Sequence, residues 1–114
     1  MTTIERREAG DVRILDIHGR VALGDGDREL SLAVKECLDQ DHAKIVLNLA
    51  NVPWMDSSGL GTTVACKLRA MRQEGDVKLF MPGASKIPLP VQTCLRLEFR
   101  VFDDEPSAVA SFRG

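Results

Sequence analysis

Long apolar runs are absent from this sequence. No stretch approaches the roughly 18 consecutive apolar residues that a bilayer-spanning helix needs. The opening Met-Thr-Thr-Ile-Glu-Arg-Arg-Glu lacks the apolar core of a secretory signal. A soluble, cytoplasmic protein without membrane contact is expected. An excess of one charge is also absent. Fifteen Lys and Arg face seventeen Asp and Glu, a net charge of -2, which argues against strong attraction to nucleic acid or anionic lipid. Cysteine is scarce: Cys37, Cys66 and Cys94 are odd in number and far apart, with no Cys-x-x-Cys pair. Each falls on an expected helix among apolar neighbours, which predicts buried free thiols rather than disulfides or a metal site. His18 and His42 lie in different elements without ligand-like spacing. No Gly-x-Ser-x-Gly elbow surrounds Ser57 or Ser58, and no Gly-x-x-x-x-Gly-Lys-Ser/Thr phosphate loop occurs. No enzymatic activity, metal or cofactor is expected.

What is present suits one compact α/β domain over residues 1–114. Hydrophobic residues make up 44% of the chain, enough for a single core. Ile4 to Glu8 and Asp11 to His18 read as two strands joined by a turn near Ala9-Gly10, the second rich in Val and Ile. Gly19 to Gly26 is a loop in which Val21 is placed to extend a strand, and Asp25 or Asp27 to cap the next helix. In that helix Leu30, Ala33, Val34, Cys37 and Leu38 form one continuous stripe, and its end is expected near Asp39 to His42.

Further on, Gly75 stands where a C′ glycine belongs. Val77, Leu79 and Met81 alternate as a short strand. Pro82, Pro88 and Pro90 exclude a helix interior between them, so a helix there starts near Pro88 or Pro90 and runs to Leu97. Val101-Phe102-Asp103 reads as an edge strand. Asp104-Glu105-Pro106 opens a last short helix, buried by Val109 and Phe112. A hairpin followed by alternating helices and strands predicts a small, mostly parallel sheet with helices packed against it.

The most informative stretch is Ile45 to Gly61. Ile45-Val46-Leu47-Asn48-Leu49 is a run suited to a strand covered on both faces. A turn carrying Asn51 and Pro53 follows, then Asp56-Ser57-Ser58-Gly59. Leu60, Val64, Leu68 and Met71 recur at spacings of four, four and three, as on an amphipathic helix. The polar cluster therefore sits at a helix N-terminus, where free N–H groups and the dipole favour negative charge. Capping alone accounts for one of these polar residues. Two hydroxyls beside an acid, with Gly59 and Gly61 flanking Leu60, exceed what a cap needs, and Gly59 leaves the backbone easy to approach.

Met55-Asp56-Ser57-Ser58-Gly59-Leu60-Gly61, following that strand, resembles the signature of bacterial anti-sigma factor antagonists. These belong to the STAS domain family (sulphate transporter and anti-sigma factor antagonist). The resemblance spans about Asp11 to Phe112. It implies a small mixed sheet flanked by helices and a regulator that works by partner switching. Unphosphorylated, such a protein binds an anti-sigma factor that is also a serine kinase. Phosphorylation of the serine directly after the motif's Asp, here Ser57, ends binding, and a serine phosphatase resets the switch. Asp56, Ser58, Gly59 and Gly61 would support the site.

Trp54 and Met55 precede the site; both suit packing at its shoulder, and an exposed Trp would suit an interface. Leu60 belongs to the same candidate partner surface. Many members carry Gly-x-Leu-Asp after the second strand. Here that stretch is Gly19-Arg20-Val21-Ala22, and Asp25 is the nearest acid that could replace the missing one. The proline-bearing Pro82 to Pro90 segment also departs from the charged helical pattern of the family, a departure read as loop variation. Two other readings stay open. One is a phosphorylation-switched module of another signalling complex. The other is a receiver-like domain phosphorylated on Asp56, although no acids from other loops are evident to hold Mg²⁺.

Overall fold

Five strands form one sheet in the computed structural model, which describes residues 1–113. They are β1 (Thr3–Ala9), β2 (Val12–His18), β3 (Lys44–Asn51), β4 (Asp76–Phe80) and β5 (Val101–Phe102), lying side by side in that order. β1 and β2 form an antiparallel hairpin, and Gly10 takes a φ of 63° at its turn. The pairs β2–β3, β3–β4 and β4–β5 are parallel. The helices are α1 (Asp25–Asp39), α2 (Ser57–Met71), α3 (Leu89–Glu98) and α4 (Glu105–Ala110). The small mixed sheet with packed helices agrees with the sequence expectation. No helix among the described residues is long and apolar enough to cross a membrane.

Alternation along the strands sorts side chains between two unequal cores. Leu15 and Ile17 of β2, Ile45, Leu47 and Leu49 of β3, and Val77 and Leu79 of β4 point into the larger one. The α1 stripe Leu30, Ala33, Val34, Cys37 and Leu38 meets them there, as its spacing predicts. On the opposite face Val12, Ile14 and Val46 are covered by Ala108 and Val109 of α4, with Phe112 packed alongside. β3 is buried on both faces, which explains its nearly unbroken apolar run.

Several local expectations need correction. The large apolar residues of α2 do not form its buried face. Gly59, Thr63, Cys66 and Ala70 do, while Leu60 and Val64 are only partly buried and Leu68 and Met71 are half exposed. α2 packs against both α1 and the sheet, and small side chains let its backbone come close to both. Cys94 is exposed, because α3 turns Gln92 and Leu95 inward instead; Cys37 and Cys66 are buried, and all three are free thiols. Neither Asp25 nor Asp27 caps α1. Its N-cap is Gly24, at φ 100°, and both acids lie in the first turn. The left-handed residue after α2 is Glu74, at φ 63°, rather than Gly75. Gly75 is required for another reason: a Cβ there would lie 2.0 Å from the Ala43 carbonyl oxygen.

Candidate functional site

Two loops at the C-terminal ends of β2 and β3 build the polar cluster. The chain leaving β2 does not simply turn into α1. Val21 forms an isolated parallel bridge with Met55, and its N–H donates to the Trp54 carbonyl at 3.0 Å. Val21 thus prolongs the β2–β3 pairing beyond the sheet proper, consistent with its reading as a strand extension. The bridge also sets which neighbour faces inward. Met55 is fully buried in the larger core, whereas Trp54 is 41% exposed. Met55 is therefore not a surface residue, which corrects its place among the candidate partner contacts; it supports the site from below.

The Val21 segment runs between the first turns of α1 and α2, and a glycine on each helix makes room for it. A Cβ on Gly26 would lie 2.2 Å from the Arg20 carbonyl oxygen, and one on Gly59 would lie 2.0 Å from that of Val21. Both targets are backbone, which cannot swing aside. The close approach at Gly59 is thus internal to the fold, not an opening for a partner, and Gly59 is buried. Gly61 differs. It is exposed, and a Cβ there would meet nothing within 4 Å.

Asp56 is the N-cap of α2. One carboxylate oxygen accepts from the Gly59 N–H at 2.7 Å, and the other accepts from the Leu23 N–H at 3.2 Å. The Gly59 N–H, and after it the Leu23 N–H, hold this carboxyl below the usual carboxylate range. One side chain therefore caps the helix and ties down the preceding loop. Ser57 follows as the first residue of α2, on the exposed surface. Ser58 is turned inward. It is partly buried, and its hydroxyl donates to Asp27 in the first turn of α1. Adjacent serines thus have different surroundings, one facing solvent and one committed to a carboxylate.

Asp25 is exposed and accepts from the Thr2 N–H at 2.9 Å, while the Thr2 hydroxyl donates to the Arg20 carbonyl at 2.7 Å. Thr2, just before β1, thereby braces the loop that carries Arg20 to Leu23. Leu60 is partly buried against the larger core. Ala22, where the sequence lacks the expected acid, is partly buried, and its carbonyl accepts from the Asp27 N–H at 3.0 Å. Three site residues were missed from sequence. Leu23 is 81% exposed beside Asp56. Arg20 places its guanidinium 5.6 Å from the centre of the Trp54 ring. Asp27 reads from the sequence only as a helix cap. An apolar residue in a glycine-flanked loop was the one available signal, for Leu23.

No protein-family model matches the chain, and no curated protein does. Solved structures do. The protein TM1081 of Thermotoga maritima is 23% identical, with a TM-score of 0.84 over 97% of this chain and 95% of its own. An anti-sigma factor antagonist from Mycobacterium paratuberculosis is 17% identical, with a TM-score of 0.81 over 100% and 96%. The anti-sigma factor antagonist SpoIIAA in its unphosphorylated form is 15% identical, with a TM-score of 0.76 over 98% and 99%. The Bacillus cell fate determinant SpoIIAA in its phosphorylated form is 13% identical, with a TM-score of 0.71 over 96% and 99%. At such identities the likeness is one of fold: the chain has the α/β architecture of these proteins, here a small mixed sheet with helices packed against it.

Proposed function

We propose that this protein is an anti-sigma factor antagonist switched by phosphorylation of Ser57. The observation that carries the reading is a solvent-facing serine at the first position of α2, directly after a capping Asp56, in a fold shared with SpoIIAA. That neighbour is described in both unphosphorylated and phosphorylated forms. In the unphosphorylated state the protein binds an anti-sigma factor that is also a serine kinase. The kinase transfers the γ-phosphoryl group of ATP to Ser57. A bond forms between Ser57 Oγ and phosphorus, the bond from phosphorus to the ADP oxygen breaks, and the hydroxyl proton passes to a base on the kinase. A serine phosphatase restores the free hydroxyl by hydrolysis.

The switch follows from charge. A phosphate adds about -1.5 to -2 at neutral pH. In the free protein it lies at a helix N-terminus, which accommodates anions, so the fold changes little. Against a partner it is stripped of water beside Asp56, where repulsion and desolvation both oppose binding. Exposed Trp54, Leu23 and Asp25, with partly buried Leu60, form the contact surface around Ser57. A phosphorylation-switched module of another signalling complex would use the same surface with a different partner. The receiver-like reading is disfavoured because both Asp56 oxygens already serve backbone N–H groups.

The test is capture of the bound partner from the native cell, followed by calorimetric titration of phosphorylated and unphosphorylated protein against it. A penalty of about 3 kcal/mol corresponds to about a hundredfold weaker binding of the phosphoprotein. Equal affinities would end the reading.

A further inference from the structure

We infer that Asp27 selects the phosphate acceptor, holding Ser58 out of reach so that only Ser57 reacts. The inference rests on the reading of Ser57 as an acceptor and adds a positioning residue to it. Sequence offers two adjacent hydroxyls with nearly the same local chemistry, and phosphoryl transfer needs only a hydroxyl that can align with the donor and surrender its proton. The structure separates them. Ser57 is exposed, whereas Ser58 is partly buried and donates its proton to Asp27 Oδ2, a residue 31 positions away on another helix.

The other oxygen of that carboxylate makes the tie harder to break. Asp27 Oδ1 is buried and has no hydrogen-bond partner among the described residues. Among the described residues, Ser58 is therefore the one side-chain donor that Asp27 has. Swinging Ser58 outward would leave a carboxylate with both oxygens unsatisfied. Hydrogen bonds to charged groups are among the stronger ones in proteins, and breaking one before transfer disfavours that acceptor by roughly 10- to 150-fold. Ser57 bears no such penalty. At either serine the reaction is the same: the oxygen–phosphorus bond forms as the bond to ADP breaks, and the proton goes to the kinase's base. At Ser58 that proton is already engaged by Asp27, inside the fold.

The full chain is isolated from the cells that make it, and its phosphates are located by fragmentation mass spectrometry. Four variants are compared with the natural sequence: Asp27→Ala, Asp27→Asn, Ser57→Ala, and Ser57→Ala combined with Asp27→Ala. The natural sequence carries phosphate on Ser57 alone, and Ser57→Ala carries none. Asp27→Ala lowers the Ser57-to-Ser58 phosphate ratio by roughly 10- to 150-fold, and the double variant acquires phosphate on Ser58. Asp27→Asn, which keeps a neutral acceptor, falls between and stands in if the alanine variant does not fold. Phosphate on Ser57 alone in all Asp27 variants overturns the role of Asp27 and leaves Ser57 as acceptor. Phosphate on Ser58 in the natural sequence, or in Ser57→Ala with Asp27 intact, also overturns it. Phosphate on neither serine in the natural sequence overturns the acceptor reading itself, and this inference with it.

Discussion

The same methyl group added at Gly59 and at Gly61 should move stability in opposite directions. Both glycines lie inside α2, and in a helix interior Ala is favoured over Gly by about 0.8–1 kcal/mol. At Gly61 nothing offsets that preference. The position is exposed and a Cβ meets no atom within 4 Å, so Gly61→Ala should stabilise by about 0.5–1 kcal/mol. At Gly59 the Cβ would lie 2.0 Å from the Val21 carbonyl oxygen and 2.8 Å from its carbon. Relief requires α2 to move away from the Val21 segment, straining the bridge to Met55 and the Asp56 tie to Leu23. Overpacking costs about 1–3 kcal/mol, and a clash this close with backbone belongs to the upper half of that range, so a net loss of about 1–2 kcal/mol remains after the gain in propensity.

Unfolding entropy near 2.1 cal/mol/K per residue gives about 0.24 kcal/mol/K for a chain of 114 residues, or about 4 °C of Tm per kcal/mol. Gly61→Ala should therefore raise Tm by about 2–4 °C, and Gly59→Ala should lower it by about 4–8 °C. Thermal unfolding followed by circular dichroism, with urea midpoints as a second measure, decides the matter. A Gly59→Ala protein as stable as the parent would refute the close packing of the Val21 segment on α2. A destabilised Gly61→Ala protein would refute the open surroundings at that position.

Other outcomes follow from the same geometry. Ser57→Ala should keep partner affinity and resist inactivation, while Ser57→Asp, with less charge and bulk than phosphate, should weaken binding only in part; calorimetry against the captured partner reads both, and undiminished binding by Ser57→Asp would count against a purely electrostatic switch. Leu23→Asp changes a residue that is 81% exposed, so Tm should hold while partner affinity falls by about tenfold or more; unaltered affinity would remove Leu23 from the contact surface. Asp56→Ala should lower Tm and slow phosphorylation together, because one carboxylate holds both the helix start and the Leu23 loop; a normal rate on a destabilised protein would leave only the capping role. Acid should destabilise the fold. Arg7, then Asn48, depress the Asp16 carboxyl, and the Gly59 and Ser107 N–H groups depress those of Asp56 and Asp104. A carboxyl with a folded pKa below its unfolded value of about 3.9 stabilises above that value and loses its contribution as pH falls through the folded one. Tm should thus drop below about pH 4, less steeply in Asp16→Asn, and an unchanged Tm in that range would contradict these interactions.

The sequence by itself determined the elements whose cause is local. The α1 stripe, the apolar run of β3, the capping of α2 by Asp56 and the strand–loop–helix setting of Ser57 depend on residues within a turn or two of each other. Helical periodicity, cap chemistry and β-branched enrichment act over that range. Only the tertiary structure decided the rest. Leu60, Val64, Leu68 and Met71 read as a buried face, yet α2 had to approach both the sheet and α1, and its small residues were turned inward instead. Trp54 and Met55 are adjacent and both apolar; the bridge to Val21 decided which of them faces solvent. Gly59 read as an opening toward a partner and proved to accommodate the chain's own backbone. Asp27 and Ser58 are separated by 31 positions, and their bond exists because two helix starts flank one extended segment. Such contacts depend on where the chain closes across the sheet, and neither propensity nor spacing along the sequence encodes that distance.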